Sequence, residues 1–146
     1  MSEFKSVFIG IDPGQSGGIA MLGDCFPIAY KMPDTEADAR ELLHDWRDHV
    51  TSCFIEAVHS MPKQGVASSF KFGRSYGFLR GLLIGLKIPF EEITPQTWQK
   101  EMNCRTGGDK NITKAKAQQL WPDLKITHAT ADALLIAECA RRRAMR

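Results

Sequence analysis

The chain reads as an α/β fold, a mixed β-sheet with helices on its faces. Three observations predict it. A nearly continuous apolar run opens the chain and stops at Asp12-Pro13-Gly14. Two short stretches after it have the turn and alternation of antiparallel strands. Beyond them, stretches of helical periodicity are interleaved with short apolar runs.

Taken in order, Phe4 to Ile11 suits a strand buried on both faces, ended by the Asp-Pro-Gly turn. Gly18 to Leu22 follows as a second strand, and Gly23-Asp24 makes a tight hairpin turn. In the third strand Phe26, Ile28, Tyr30 and Met32 fall on one face and Pro27, Ala29 and Lys31 on the other. These three form an antiparallel meander. Glu36 to Val50 is an amphipathic helix with Leu42, Leu43, Trp46 and Val50 as its apolar stripe. Ser52 to Val58 is a short apolar strand, Val66 to Leu86 a long helix, and Lys87 to Ile93 a fifth strand. Thr94-Pro95 pairs an N-cap with proline at the first helical position, so a short helix starts there. Asn103 to Asp109 is a loop, and Ile112–Leu120 and Ala129–Arg143 are two more helices. The order βββαβαβααα describes three antiparallel strands plus two more, flanked by helices.

The 146 residues amount to about one domain, large enough to fold without cystines. A hydrophobic share of 43% and a charged share of 25% exclude a disordered tail. The formal net charge is only +2, but residues 1–97 carry a net −3 and residues 98–146 a net +5. The C-terminal third is therefore the side expected to face an anion. Cys25, Cys53, Cys104 and Cys139 have no zinc-ligand spacing. They read as reduced thiols of a cytoplasmic protein. No signal peptide, membrane span or small-molecule cofactor pattern is apparent.

Three acids resist their surroundings. Asp12 ends the first apolar strand, Glu56 follows Cys53-Phe54-Ile55, and Asp132 lies in the apolar start of the last helix. A buried carboxylate is costly without a compensating partner. Any one of them could be a cap, a turn former or half of an ion pair, and the Asp-Pro-Gly turn accounts for Asp12 by itself. Together they suggest a hard divalent cation, which takes oxygen ligands and keeps positions for phosphate and water. His128 shares a helix face with Asp132, four residues on. It could be a ligand, a proton shuttle or an ordinary first-turn residue. Imidazole suits Mn²⁺ better than Mg²⁺.

The segments FIGIDPGQSGGIAML, CFIEAVHSMPKQGVASSFKFGRSYGFLRG, TPQTWQK and HATADALLIAE, in this order over nearly the whole chain, resemble the RuvC-type Holliday junction resolvases. The small phage-borne members are the most similar. That resemblance implies a ribonuclease H-like fold filling residues 1–146. It implies a metal-dependent endonuclease that resolves four-way DNA junctions as a homodimer. The cell compartment would be the cytoplasm of a bacterium or a phage-infected cell. The metal carboxylates would be Asp12, Glu56 and Asp132, with His128 as the fourth ligand. Cellular members place that ligand three residues before the acid, where this chain has Ala129. Two Mg²⁺ ions per site, replaceable by Mn²⁺, would drive hydrolysis to a 5′-phosphate and a 3′-hydroxyl. A catalytic lysine follows the fifth strand in the family; Lys100 is nearest, and Gln99 aligns equally well.

DNA contacts are expected from His59 in the loop after Glu56, and from Lys63, Lys71, Arg74, Lys110, Lys114 and Lys116. The Arg141-Arg142-Arg143 run is a further candidate for sequence-independent phosphate binding. Phe70 and Phe72 read first as core, with an aromatic surface toward DNA as the alternative. Gly73, Gly77, Gly81 and Gly85 recur every four residues, so the long helix should approach another backbone, either the sheet or a second copy. Competing functions are a broader fork or flap nuclease, a non-catalytic branched-DNA binding module, and an actin-like phosphotransferase. The last needs a longer chain with a second domain.

Overall fold

The computed structural model describes residues 6–58 and 63–146. Strands β1 (Val7–Asp12), β2 (Gly18–Leu22) and β3 (Pro27–Lys31) form the meander. Helix α1 (Glu36–Trp46) leads to β4 (Val50–Glu56), and α2 (Val66–Gly85) to β5 (Phe90–Ile93). Helices α3 (Pro95–Glu101), α4 (Lys110–Leu120) and α5 (His128–Ala144) complete the chain. The sheet order is β3-β2-β1-β4-β5. β1 is antiparallel to β2 and parallel to β4, β2 is antiparallel to β3, and β4 is parallel to β5. This is the mixed five-stranded sheet with flanking helices that the sequence predicts.

Several boundaries shift by one or two residues, β4 (Val50–Glu56 rather than Ser52–Val58) among them, and two shift further. The first helix stops at Trp46, because Arg47–His49 tighten into a 3₁₀ turn and Val50 turns extended to pair with Val7. The fifth strand begins at Phe90, because Lys87 adopts φ 59 where α2 ends and Pro89 offers no N–H to a ladder.

Alternation along each strand sorts the core into two layers. Val7, Ile9, Ile11, Ile19, Met21, Cys53 and Ile55 face α1 and α2, where Leu43, Leu79 and Leu83 cover them. Phe8, Ala20, Leu22 and Phe54 face α5, α3 and α4. α5 is the central helix. Every residue from Ala133 to Ala140 is buried, and the helix touches β1, β2, β3 and β4. It lies so close to β1 that a Cβ on Gly10 would stand 2.1 Å from the Ala133 carbonyl oxygen and 2.3 Å from the Ala137 nitrogen. Glycine in the strand and alanine on the helix permit this approach. All four cysteines are free, and among the described residues no helix is long and apolar enough to cross a membrane.

Candidate active site

The two-residue period of a strand places Asp12 on the face of Phe8 and Gly10, and Glu56 on the face of Phe54. Both therefore point to the α5 side. Ile11 pairs with Ile55 in the parallel register, so the two acids end neighbouring strands at the same edge of the sheet. α5 adds Asp132 from its second turn. Its start is fixed by a capping box in which Thr127 and Thr130 exchange side-chain and backbone hydrogen bonds. Because α5 rests on Gly10, its first turns lie over the end of β1.

The three acids feel one another. Burial raises Asp12 well above the usual carboxylate range, and the charges of Glu56 and Asp132 raise it further. Burial pushes Glu56 up to about 7, aided by Asp132 and opposed by a hydrogen bond from Trp98. Burial also raises Asp132, against a side-chain hydrogen bond with Thr113 and the charges of Lys110 and His128. Such a set disfavours its own ionisation, and a hard cation among the oxygens would relieve it. The donor chemistry fits a divalent ion. Among the described residues, no three His, Cys, Asp or Glu side chains are grouped closely enough, as placed, to hold a metal ion.

Several predicted residues take clear places. His128 is exposed at the first position of α5, and its charge acts on Asp132. Lys100 is exposed on α3 and lines an open groove with Gln96, Thr97, Gln99, Arg105 and Thr106. The cation that lowers all three acids is Lys110, the first residue of α4, which the sequence assigns only to phosphate contact. Lys63, in the turn before α2, and Lys71 and Arg74, in its N-terminal half, are exposed, although Arg74 lies 3.8 Å from Glu36. Lys114 and Lys116 are half-buried on α4. His59 lies outside the described residues.

The arginine run is engaged elsewhere. Arg141 donates twice to the buried Glu138 at 2.6 Å, Arg142 lies 3.5 Å from it, and Arg143 forks onto Glu101. The run also sits roughly 15 Å along α5 from Asp132, at 1.5 Å per residue. Phe70 is not core: it is 72% exposed. Phe72 is half-buried and packs over Gly14, whose φ of 99 forms the turn behind Asp12.

Trp98 and Thr113 escaped the sequence reading. Trp98 is fully buried, and its indole N–H donates to Glu56 Oε2 at 2.7 Å. A buried indole N–H needs an acceptor, so the tryptophan in TPQTWQK was a usable signal. Thr113 is buried one turn after Lys110, and its hydroxyl lies 3.2 Å from the Lys110 carbonyl oxygen. Nothing in its sequence context sets it apart.

No family model matches the chain, and no curated protein sequence does. Solved structures do. RuvC of Thermus thermophilus superposes with a TM-score of 0.68 at 18% identity, over 95% of each chain. T. thermophilus RuvC in complex with a Holliday junction substrate gives 0.68 at 17% identity, over 96% of this chain and 95% of that one. At these identities the likeness establishes the fold, the ribonuclease H-like fold of RuvC.

Proposed function

We propose that the chain is a divalent-metal-dependent endonuclease that resolves four-way DNA junctions by paired symmetrical nicks. What supports this is that Asp12 and Glu56 end neighbouring strands and that the charge of Asp132 acts on both, in a RuvC-like fold. A DNA-binding module has no use for three mutually repelling buried carboxylates. The structure of the Thermus protein with its junction supports branched DNA as the substrate class.

Asp12, Glu56 and Asp132 would hold the ions, with His128 at the exposed rim beside Asp132. Two Mg²⁺ ions, with Mn²⁺ able to substitute, would supply water activation and charge stabilisation for an in-line displacement leaving a 5′-phosphate and a 3′-hydroxyl. Trp98 fixes one oxygen of Glu56 and so orients the other. Lys110 brings positive charge to the same edge and offsets charge that develops on phosphate. Lys63, Lys71, Lys114 and Lys116 supply sequence-independent attraction along the arms.

The active form would be a homodimer, because a two-fold enzyme suits a two-fold junction and two matched cuts. α2 supports this. A Cβ on Gly73, Gly77, Gly81 or Gly85 would meet nothing, so these glycines do not pack on their own sheet. Val66, Phe70 and Ile84 are exposed on the same helix face at helical spacing. An antiparallel crossing of two α2 helices centred on Gly77 sets Phe70 of one copy against Ile84 of the other, and Gly73 against Gly81. We place the protein, one nuclease domain over residues 1–146, in the cytoplasm of a bacterial or phage-infected cell.

The test is cleavage of labelled four-way junction, fork and linear duplex by wild type and Asp12→Asn with Mg²⁺ or Mn²⁺. Paired nicks in the junction, lost in Asp12→Asn while binding persists, are the expected result. Equal cutting of forks would make it a general branched-DNA nuclease. Binding without cleavage under both metals would leave only a binding module.

A further inference from the structure

The hydrogen bond from Trp98 to Glu56 depends on where α3 lies, and α3 is only seven residues long. Its N-terminus is fixed locally, where Thr94 Oγ1 accepts from the Thr97 N–H at 3.2 Å. Its C-terminus is fixed from another element. Glu101, its last residue, takes a fork from Arg143 near the end of α5. The Arg143 Nη2 donates to Oε1 at 2.5 Å and its Nε to Oε2 at 3.0 Å. The thiol of Cys139, one turn earlier on α5, donates to the same Oε2 at 2.9 Å. The Arg143 hydrogen bonds hold Glu101 below the usual carboxylate range, so the charged fork persists at working pH.

Arg143 has a second contact. Its guanidinium carbon stands 5.2 Å from the centroid of the Phe54 ring, a cation–π distance. Phe54 is buried on β4, two residues before Glu56 and on the same face. Glu101 follows Trp98 by three residues on α3, so the two project toward one side of the helix. One guanidinium thus holds together the two elements whose meeting makes the Trp98–Glu56 bond. It lies roughly three turns of α5 beyond Asp132, too far to meet an ion held there.

We infer that Arg143 is a positioning residue for Glu56: by clamping Glu101 to the Phe54 side of β4, it seats Trp98 on the Glu56 carboxylate. This rests on the proposal that Glu56 holds a metal ion. Without the clamp, α3 keeps its capped start, but its far end is free to tilt. The indole then leaves Oε2, and the carboxylate loses the contact that orients it. Arg143 touches no reacting group, so its loss acts on Glu56 and leaves DNA contacts alone.

The experiment compares the full chain with Arg143→Ala, Arg143→Lys, Trp98→Phe and the double variant Arg143→Ala/Trp98→Phe. It measures hydrogen exchange of the Trp98 indole N–H in the metal-free chain, Mn²⁺ binding by calorimetry, junction binding in Ca²⁺, and melting temperature. Trp98→Phe deletes the bond itself and is expected to weaken Mn²⁺ binding about tenfold or more. Arg143→Ala should speed indole exchange about tenfold and weaken Mn²⁺ binding about three- to tenfold. Arg143→Lys keeps the charge but cannot fork, and should fall between wild type and Arg143→Ala. In the Trp98→Phe background, Arg143→Ala should change Mn²⁺ affinity by less than about twofold, because the path it acts through is already gone. Junction affinity should stay within about twofold, because no phosphate contact is removed. A lowered melting temperature with unchanged indole exchange and Mn²⁺ affinity in both single Arg143 variants would reduce the clamp to a structural contact and overturn the inference. An equal loss of Mn²⁺ affinity with and without Trp98 would overturn it as well. So would weaker junction binding with Mn²⁺ affinity intact, which would make Arg143 a phosphate contact. Wild type that binds no Mn²⁺ would instead remove the metal reading of Glu56, and this role with it.

Discussion

Lys110 and Lys100 are ten residues apart on one chemically similar stretch, yet only Lys110 acts on Asp12, Glu56 and Asp132. Lys110→Ala is expected to lower the single-turnover cleavage rate about 100-fold, the scale of losing one electrostatic stabiliser, with little change in junction affinity. Lys100→Ala should do the reverse, weakening binding a few-fold and leaving the rate near normal; equal effects in the two variants would refute this division. The carboxylates also set a pH dependence. In the metal-free chain the three acids bind protons more tightly folded than unfolded, so stability falls as pH rises through the interval between the two values. For Glu56 that interval runs from 4.5 to about 7. The loss there is about 3 kcal/mol, complete above the folded value. Urea unfolding in EDTA is expected to show a lower midpoint at pH 8 than at pH 5, and Glu56→Gln should flatten the slope. A midpoint that rises over the same range would contradict the assigned burial of these acids.

At the scale of elements, the contact of α5 with β1 decides whether the site exists. Gly10 leaves no room for a side chain beneath Ala133 and Ala137. Gly10→Ala should therefore cost about 3 kcal/mol or more, at the upper end of overpacking, because backbone atoms stand in the way. Urea unfolding measures that loss. Cleavage by the surviving folded fraction should fall as well, since any lift of α5 carries Asp132 away from Asp12. The substitution would be harmless only if α5 did not pack as described. β4 and β5 add a second constraint: their parallel register puts Glu56 opposite Ile93, next to the capped start of α3 that delivers Trp98.

For the whole molecule, α2 separates the stability of one chain from the affinity between two. Gly77 sits in an exposed helix interior with nothing within reach of a Cβ. In an isolated chain, Gly77→Ala should stabilise the helix by up to about 1 kcal/mol. In a dimer crossing at Gly77 the same methyl would push the helices apart, and Gly77→Leu would do so fully. Sedimentation equilibrium is expected to show dimer for wild type, weakened association for Gly77→Ala, and monomer for Gly77→Leu with its fold intact. A wild-type monomer at cleavage concentrations, or a Gly77→Leu dimer, would remove α2 as the interface.

The strand and helix order, the mixed sheet and the three acids were legible in the sequence, because each rests on local rules: alternation, periodicity, Asp-Pro-Gly, Thr-Pro, and charge out of place in an apolar run. Glu56 and Asp12 stood out because a lone acid at the end of a buried strand violates its own pattern. What the sequence left open were questions about space. Whether the α2 glycines meet the sheet or open solvent, whether Phe70 is buried, and which lysine reaches the acids depend on how separate elements are laid against each other. Trp98 donates to Glu56 because α3 swings its indole onto it, and Arg143 is paired because the packing brings Glu101 within reach. Hydrophobic patterning fixes which face of each element turns inward. Only the packed structure fixes which polar groups on the remaining faces become neighbours, since that depends on register, crossing and distance between segments far apart in the chain.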